Sequence, residues 1–153
     1  MAIFHKLSKY PDRSFDFVVM HGAAKTGSAM VDFSLIKDGG AVCTGLQKLI
    51  QRYVLCLMTD LGSMTFNSRR GCSFMRNIMQ ANDEEEVTTA FQFARMDVAQ
   101  QLRNEETDDM PDSEKYASSE LIDVSFFGDT LSIAITLQSV SGDSSDIILP
   151  IYA

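Results

Sequence analysis

Apolar residues recur every three or four positions from Thr44 to Gly62, which is the spacing of an amphipathic helix. Thr44, with Gln47 three residues on, predicts a capped start, and Gly62 predicts the stop. Beyond Tyr53 the helix is apolar on nearly every side, which predicts burial by its own domain or by a partner. The apolar stripe consists of Leu46, Leu49, Ile50, Tyr53, Val54 and Leu57, and the opposite side carries Lys48, Gln51 and Arg52.

A second helix is predicted from Asn82 to about residue 105. Asn82 is placed to cap it, Glu85 completes a capping box, and the acidic residues 83–86 suit the positive end of the helix dipole. Its apolar face consists of Val87, Phe91, Ala94, Val98 and Leu102. The acidic stretch 105–114, which contains Pro111, predicts an exposed linker. Between the helices, a loop over 63–73 leads into one or two helical turns over 74–79.

The last third of the chain changes to a period of two, which is typical of strands. Gly128 and Asp129 between two alternating runs predict a tight hairpin. A last short strand covers 147–152, and Pro150 predicts that it lies at an edge or ends early. The alternating residues are Ile122, Val124 and Phe126, then Leu131, Ile133, Ile135 and Leu137.

Near the beginning of the chain, the runs 15–20 and 29–36 predict two further short strands. The order of elements predicts an α+β fold, with a small antiparallel sheet whose C-terminal hairpin packs on two main helices. We expect a single domain over residues 1–153, with residues 1–14 as an extended arm.

Composition narrows the classes of function. The 153 residues carry a net charge of −8, so the chain as a whole repels phosphate backbones, and we expect no nucleic-acid partner. No apolar run approaches the roughly 18 residues of a membrane span, and the N-terminus does not resemble a signal peptide. The odd number of cysteines, without CxxC spacing, predicts free thiols in a reducing cytoplasm.

The familiar catalytic and ligand-binding patterns are missing. The segment HGAAKTGS at 21–28 has Ala24 where a phosphate-binding loop needs glycine before its lysine. His5 and His21 have no second metal ligand at a suitable spacing. The carboxylates cluster at a helix start and in a linker, which does not suit a glycosidase pair. We therefore expect no catalytic residue, no metal and no cofactor.

The loop between the helices is the most distinctive segment. Arg69 and Arg70 precede Gly71, which permits a close turn, and Phe66 and Phe74 flank them. One interpretation is a simple exposed arginine pair, and the other is a fork of N–H donors for a partner, with the two aromatic rings as anchors. An alternative function, a small cytoplasmic enzyme, would use Cys72 as its nucleophile, with a pKa lowered by the nearby arginines.

This order of elements resembles the baseplate wedge proteins of contractile phage tails, the sheath-initiator or W-protein family, whose relatives occur in type VI secretion baseplates. The resemblance covers roughly residues 30–152. It consists of an apolar helix, a loop leading to a Gly/Phe segment, a long helix and a hairpin. In this chain those pieces read LQKLIQRYVLCLMTDLGS, MTFNSRRGCSFM, DEEEVTTAFQFARMDVAQQLRN and ELIDVSFFGDTLSIAITL.

The resemblance implies a non-enzymatic structural protein of the virion, located in the tail baseplate and assembled in the host cytoplasm. The implied partners are other baseplate wedge proteins, the tail sheath protein, and the tail tube or hub, with no membrane partner. The implied mechanism templates the first sheath ring by strand addition at an exposed sheet edge.

Residues 131–139 contain no lysine or proline that would protect such an edge, so we expect it there. A generic adaptor, with several unrelated partners, remains a third hypothesis. The partner interface predicted from the sequence consists of Phe66, Arg69, Arg70, Phe74, Leu131, Ile133 and Ile135.

Overall fold

The structure is a computed structural model that describes residues 16–17, 20–21, 29–30, 32–33, 42–128 and 130–152. The helices of this part are α1 (Leu46–Met58), α2 (Phe74–Ile78) and α3 (Glu84–Glu105), and a 3-10 turn covers Asp112–Glu114. The strands are β1 (Asp16–Phe17), β2 (Met20–His21), β3 (Ala29–Met30), β4 (Asp32–Phe33), β5 (Val42–Cys43), β6 (Tyr116–Phe127), β7 (Thr130–Ser139) and β8 (Ser144–Tyr152).

The main sheet has the order β3-β8-β7-β6. Its three long strands pair antiparallel in sequence order, and β3 adds a short parallel pairing to β8. The hairpin predicted at residues 128–129 is confirmed, since Phe127 pairs with Thr130 across it and Gly128 takes a positive φ of 59°. The predicted α+β class is also confirmed. The single domain over 1–153 stays a prediction, and the arm over 1–14 lies outside the described residues.

One face of the sheet packs on the helices and forms the core. Along β7 and β8 the alternate residues are buried, as a half-covered sheet requires. The predicted apolar face of α3 is confirmed, because all five of its members are buried. The core residues of β7 and β8 are Leu131, Ile133, Ile135, Leu137, Ile147, Leu149 and Ile151.

The predicted helix caps differ from those observed. The residue before α1 is Gly45, with φ 62° and no side-chain cap, so the capping box of Thr44 and Gln47 is wrong. The amide of Gly45 instead donates to the Glu114 carboxylate at 3.0 Å, from a residue distant in sequence. At α3 the N-cap is Asp83, one residue later than the predicted Asn82. The Asp83 carboxylate accepts from the amide of Glu86 at 2.8 Å. Helix α1 also ends at Met58, before the expected Gly62.

The polar side of α1 is buried rather than solvated. Lys48, Gln51 and Arg52 are all buried, and the segment that was predicted to be an exposed linker contacts Lys48 and Arg52. Glu114 of that segment is only 1% exposed and pairs with the Lys48 ammonium at 2.8 Å. The linker prediction is therefore wrong for Glu114.

The N-terminal strands are described only in part. The predicted run 15–20 contains β1 and the first residue of β2, and these strands pair antiparallel with β5 and β4 respectively. The predicted run 29–36 contains β3 and β4. The other residues of these two predictions lie outside the described residues.

Candidate partner-docking loop

Residues 61–70 form a surface loop whose two ends meet, here called the 61–70 loop. Asp60 and Cys72 bridge in parallel at its neck. The amide of Leu61 donates to the Cys72 carbonyl at 3.1 Å, and the amide of Cys72 donates to the Thr59 carbonyl at 2.9 Å. A compact loop with joined ends is an Ω-loop, a type that often carries function.

A glutamine from α3 holds the neck. The amide of Gly71 donates to Oε1 of Gln101 at 2.9 Å, and Nε2 of Gln101 donates to the Gly71 carbonyl at 2.7 Å. Gly71 has φ 102°, and a Cβ added there would lie 2.3 Å from the Thr59 carbonyl oxygen. Only glycine permits this close approach. The neck is therefore fixed to the body of the protein from both sides.

Sequence reasoning found Gly71 but missed Gln101. Its side chain is only partly buried on α3, and nothing in the local pattern separates it from the solvated positions around it. Only its contact with Gly71 distinguishes Gln101, and Gly71 is 30 positions away in the chain.

The two predicted arginines have different environments. Arg70 pairs with the Glu105 carboxylate of α3 at 3.2 Å, and the other oxygen of that carboxylate accepts from Arg52 at 3.2 Å. Arg70 therefore belongs to the support of the loop, whereas Arg69 is exposed. Of the pair, Arg69 is the more exposed residue and the better candidate for a partner contact.

Three large apolar side chains of the loop face solvent. Phe66 is fully exposed, Leu61 is 50% exposed and Met64 is 42% exposed. Full burial of one such side chain contributes about 1.5–3 kcal/mol relative to exposure. A loop that is held firmly at its neck yet exposes these groups has the properties of a docking element. Leu61 and Met64 were not among the residues predicted from sequence.

Phe74 was predicted as a partner anchor, and the structure contradicts this. Its side chain is completely buried at the start of α2, and its ring meets Phe91 edge-on, with centroids 6.2 Å apart. The ring is a core residue because the chain turns inward after the loop neck. Of the two flanking aromatic residues, only Phe66 is available to a partner.

The predicted strand-addition edge at β7 is also wrong. β7 pairs with β6 on one side and with β8 on the other, so it is an interior strand. Leu131, Ile133 and Ile135 point into the core and are buried. Residues 131–139 need no lysine or proline because this strand has no free edge to protect.

Among the described residues, β6 has no strand on its outer side. Side chains of α3 and its C-terminal end cover its first part: Arg95 donates to the Ser119 carbonyl at 3.0 Å, and Glu106 accepts from the amide of Tyr116 at 2.6 Å. The register shifts at Ala117 and Ile122, which marks two bulges. Bulges on an edge strand discourage indiscriminate pairing. The uncovered part, 120–127, includes Phe127, which is 70% exposed.

Cys72 has the properties of a core thiol. It is buried, and burial raises its pKa to about 11. Its Sγ donates to the Leu57 carbonyl at 3.3 Å. The prediction that nearby arginines would lower its pKa is wrong, because Arg70 is engaged by Glu105 and desolvation dominates. A thiol that stays protonated and buried is a poor nucleophile.

The other residues considered as candidate ligands or nucleophiles are described only in part by the structure. Cys43, Cys56 and Cys72 are thiols and form no disulfide, as predicted. Of the two histidines, His21 is described by its backbone alone and His5 lies outside the described residues, as do residues 22–28 of the rejected phosphate loop. Within the described part of the chain, no cluster of three or more His, Cys, Asp or Glu residues is arranged to hold a metal ion.

Among the helices of the described residues, none has the length and apolar character needed to cross a membrane. Comparisons with protein-family models, with curated proteins and with solved structures find no match for this chain.

Proposed function

We propose that this chain is a non-enzymatic structural component of a contractile tail baseplate, which joins wedge proteins and templates the first ring of the tail sheath. One observation carries the proposal: the 61–70 loop is fixed at its neck and exposes Phe66 completely. The order of α1, loop, α3 and hairpin, on which the resemblance to the sheath-initiator family rests, is consistent with it.

The 61–70 loop suits a wedge partner on energetic grounds. A rigid element loses little conformational entropy on binding, so most of the energy from burying its side chains is available as affinity. Phe66 is the expected centre of the contact, with Leu61 and Met64 around it. Arg69 adds a guanidinium that suits a partner carboxylate or carbonyl group. Such a contact resembles the aromatic and arginine anchors that dominate protein interfaces.

The proposed sheath contact lies on β6 rather than β7. A strand from the sheath protein would pair along residues 120–127, where α3 does not cover the edge. Ile122 and Phe127 are exposed on this stretch and would add apolar contacts to the backbone hydrogen bonds. The first part of β6 would stay unpaired because Arg95 and Glu106 already occupy it.

Co-expression with the wedge and sheath proteins of the same genome tests the proposal. We expect the wild-type chain to co-purify with a wedge protein, and a Phe66→Ser variant to lose that partner. The matched control is Arg76→Ser, an exposed substitution on α2 outside the loop. In intact particles, the protein should appear in the density of the baseplate. Monomeric behaviour in sedimentation, without binding to any co-expressed baseplate or sheath protein, would refute the proposal.

The same experiment separates the two alternatives. A generic adaptor would bind several unrelated proteins and would be missing from the particle. A Cys72 enzyme would lose its activity on Cys72→Ala, an outcome that the buried thiol argues against.

A further inference from the structure

A groove of about 430 Å³ separates the outer face of α3 from the beginning of β6, and is here called the α3–β6 groove. It shares no residue with the 61–70 loop. Its α3 side includes Arg95, Met96, Ala99 and Arg103, and its β6 side includes Tyr116.

The charge of the groove is opposite to that of the chain. Arg95 and Arg103 line it, and no described residue of its lining is acidic, although the chain has a net charge of −8. Glu106 lies near one end, but its carboxylate already accepts from the amide of Tyr116 at 2.6 Å. A positive groove on an acidic protein selects an anionic ligand, because the remaining surface repels one.

Both arginines are held in place by the protein. Arg95 donates from Nη1 to the Ser119 carbonyl at 3.0 Å, and the guanidinium of Arg103 lies 5.6 Å from the centre of the Tyr116 ring. A guanidinium has several N–H donors in a fixed plane, so these contacts orient each group and leave donors for a carboxylate.

The distance between the arginines indicates the spacing of the ligand's charges. They are eight residues apart on α3, which is about 12 Å along a helix. An extended peptide advances about 3.3 Å per residue, so carboxylates about four residues apart match this distance and share one face of the strand. The side chain midway between them would lie over Met96 and Ala99, an apolar stretch where Met96 is 69% exposed.

We propose that the α3–β6 groove binds an extended acidic segment of a partner protein, in which an apolar residue lies midway between two carboxylates about four positions apart. This inference stands apart from the baseplate assignment, because it depends only on the groove.

Fluorescence anisotropy with synthetic peptides tests it on the full chain. The probe is labelled GSESLSESG, and the controls are GSKSLSKSG and GSSEELSSG, which reverse the charge and alter the spacing. We expect GSESLSESG to bind most tightly and to weaken with added salt. Arg103→Glu should weaken it by about tenfold or more, the effect of losing and reversing one charge-assisted contact. Arg76→Glu, on α2 outside the groove, should leave binding unchanged.

A second variant keeps the proposal testable if Arg103→Glu does not fold. Met96→Glu places a carboxylate in the groove at an exposed position and leaves the contact of Arg103 with Tyr116 intact; it should weaken binding to a similar extent. Absence of binding at millimolar peptide would overturn the proposal. So would equal affinity for GSSEELSSG, or affinity that neither groove variant changes while circular dichroism shows both to be folded.

Discussion

Replacement of Gly71 by alanine is the sharpest test of the loop neck. The backbone there has φ 102°, which an L side chain rarely adopts, and this strain alone costs about 1–2 kcal/mol. The new Cβ would also lie 2.3 Å from the Thr59 carbonyl oxygen and 2.9 Å from its carbon. These are backbone atoms and cannot rotate away, so the neck must open.

Opening the neck weakens three hydrogen bonds: the two between Gly71 and Gln101, and the one from the Cys72 amide to the Thr59 carbonyl. Each contributes about 0.5–1.5 kcal/mol. Together with the backbone strain, we expect Gly71→Ala to lower the free energy of unfolding by about 3–5 kcal/mol. That is a large part of the roughly 5–15 kcal/mol of a typical domain.

The matched control is Gly62→Ala within the same loop. Gly62 also has a positive φ, of 86°, but an added Cβ there meets nothing within 4 Å. It should therefore show only the backbone strain of about 1–2 kcal/mol. Urea unfolding followed by far-UV circular dichroism measures both variants. If Gly71→Ala loses no more stability than Gly62→Ala, the close approach at Thr59 does not hold the loop, and the description of a fixed neck is wrong.

Three further predictions concern other parts of the structure. Glu114→Ala should lower the free energy of unfolding by about 3–5 kcal/mol, because it removes the carboxylate that pairs with the buried Lys48 ammonium at 2.8 Å, and adding Lys48→Met should restore part of the loss in urea titrations. Burial raises the pKa of Cys72 to about 11, so the native state keeps a proton that the unfolded state releases; the stability of the wild type relative to Cys72→Ala should be constant below about pH 9 and should fall between about pH 9 and 11. Phe66→Ser should change the free energy of unfolding by less than about 0.5 kcal/mol, because the ring is fully exposed, and a large loss would show that the ring packs within the chain.

Some of the candidate site was accessible from the sequence. Phe66 and Arg69 stand in a stretch without apolar periodicity, which predicted a loop, and both are exposed. Phe74 could not be separated from Phe66 by pattern, because an aromatic residue beside a loop fits a surface anchor and a core side chain equally well. Its burial depends on Phe91, whose ring it meets in the fold.

The sequence pattern also could not distinguish an edge strand from an interior strand. The absence of lysine and proline from residues 131–139 fits an open edge that is reserved for a partner, but it also fits an interior strand, which needs no such protection. Only the pairing of β8 on the far side of β7 distinguishes them. Once that pairing forms, the edge without a partner strand among the described residues is β6, where the bulges at Ala117 and Ile122 lie.

The sequence by itself determined the α+β class, the apolar face of α3 and the hairpin at residues 128–129, because these follow from periodicity and turn chemistry over a few neighbouring residues. Tertiary structure alone decided which polar groups are buried and which loops are hydrogen-bonded to the body of the protein. Lys48 meets Glu114 across 66 positions, and Gly71 meets Gln101 across 30. Such pairs depend on how the elements dock, and docking of distant segments leaves no periodic trace in the chain.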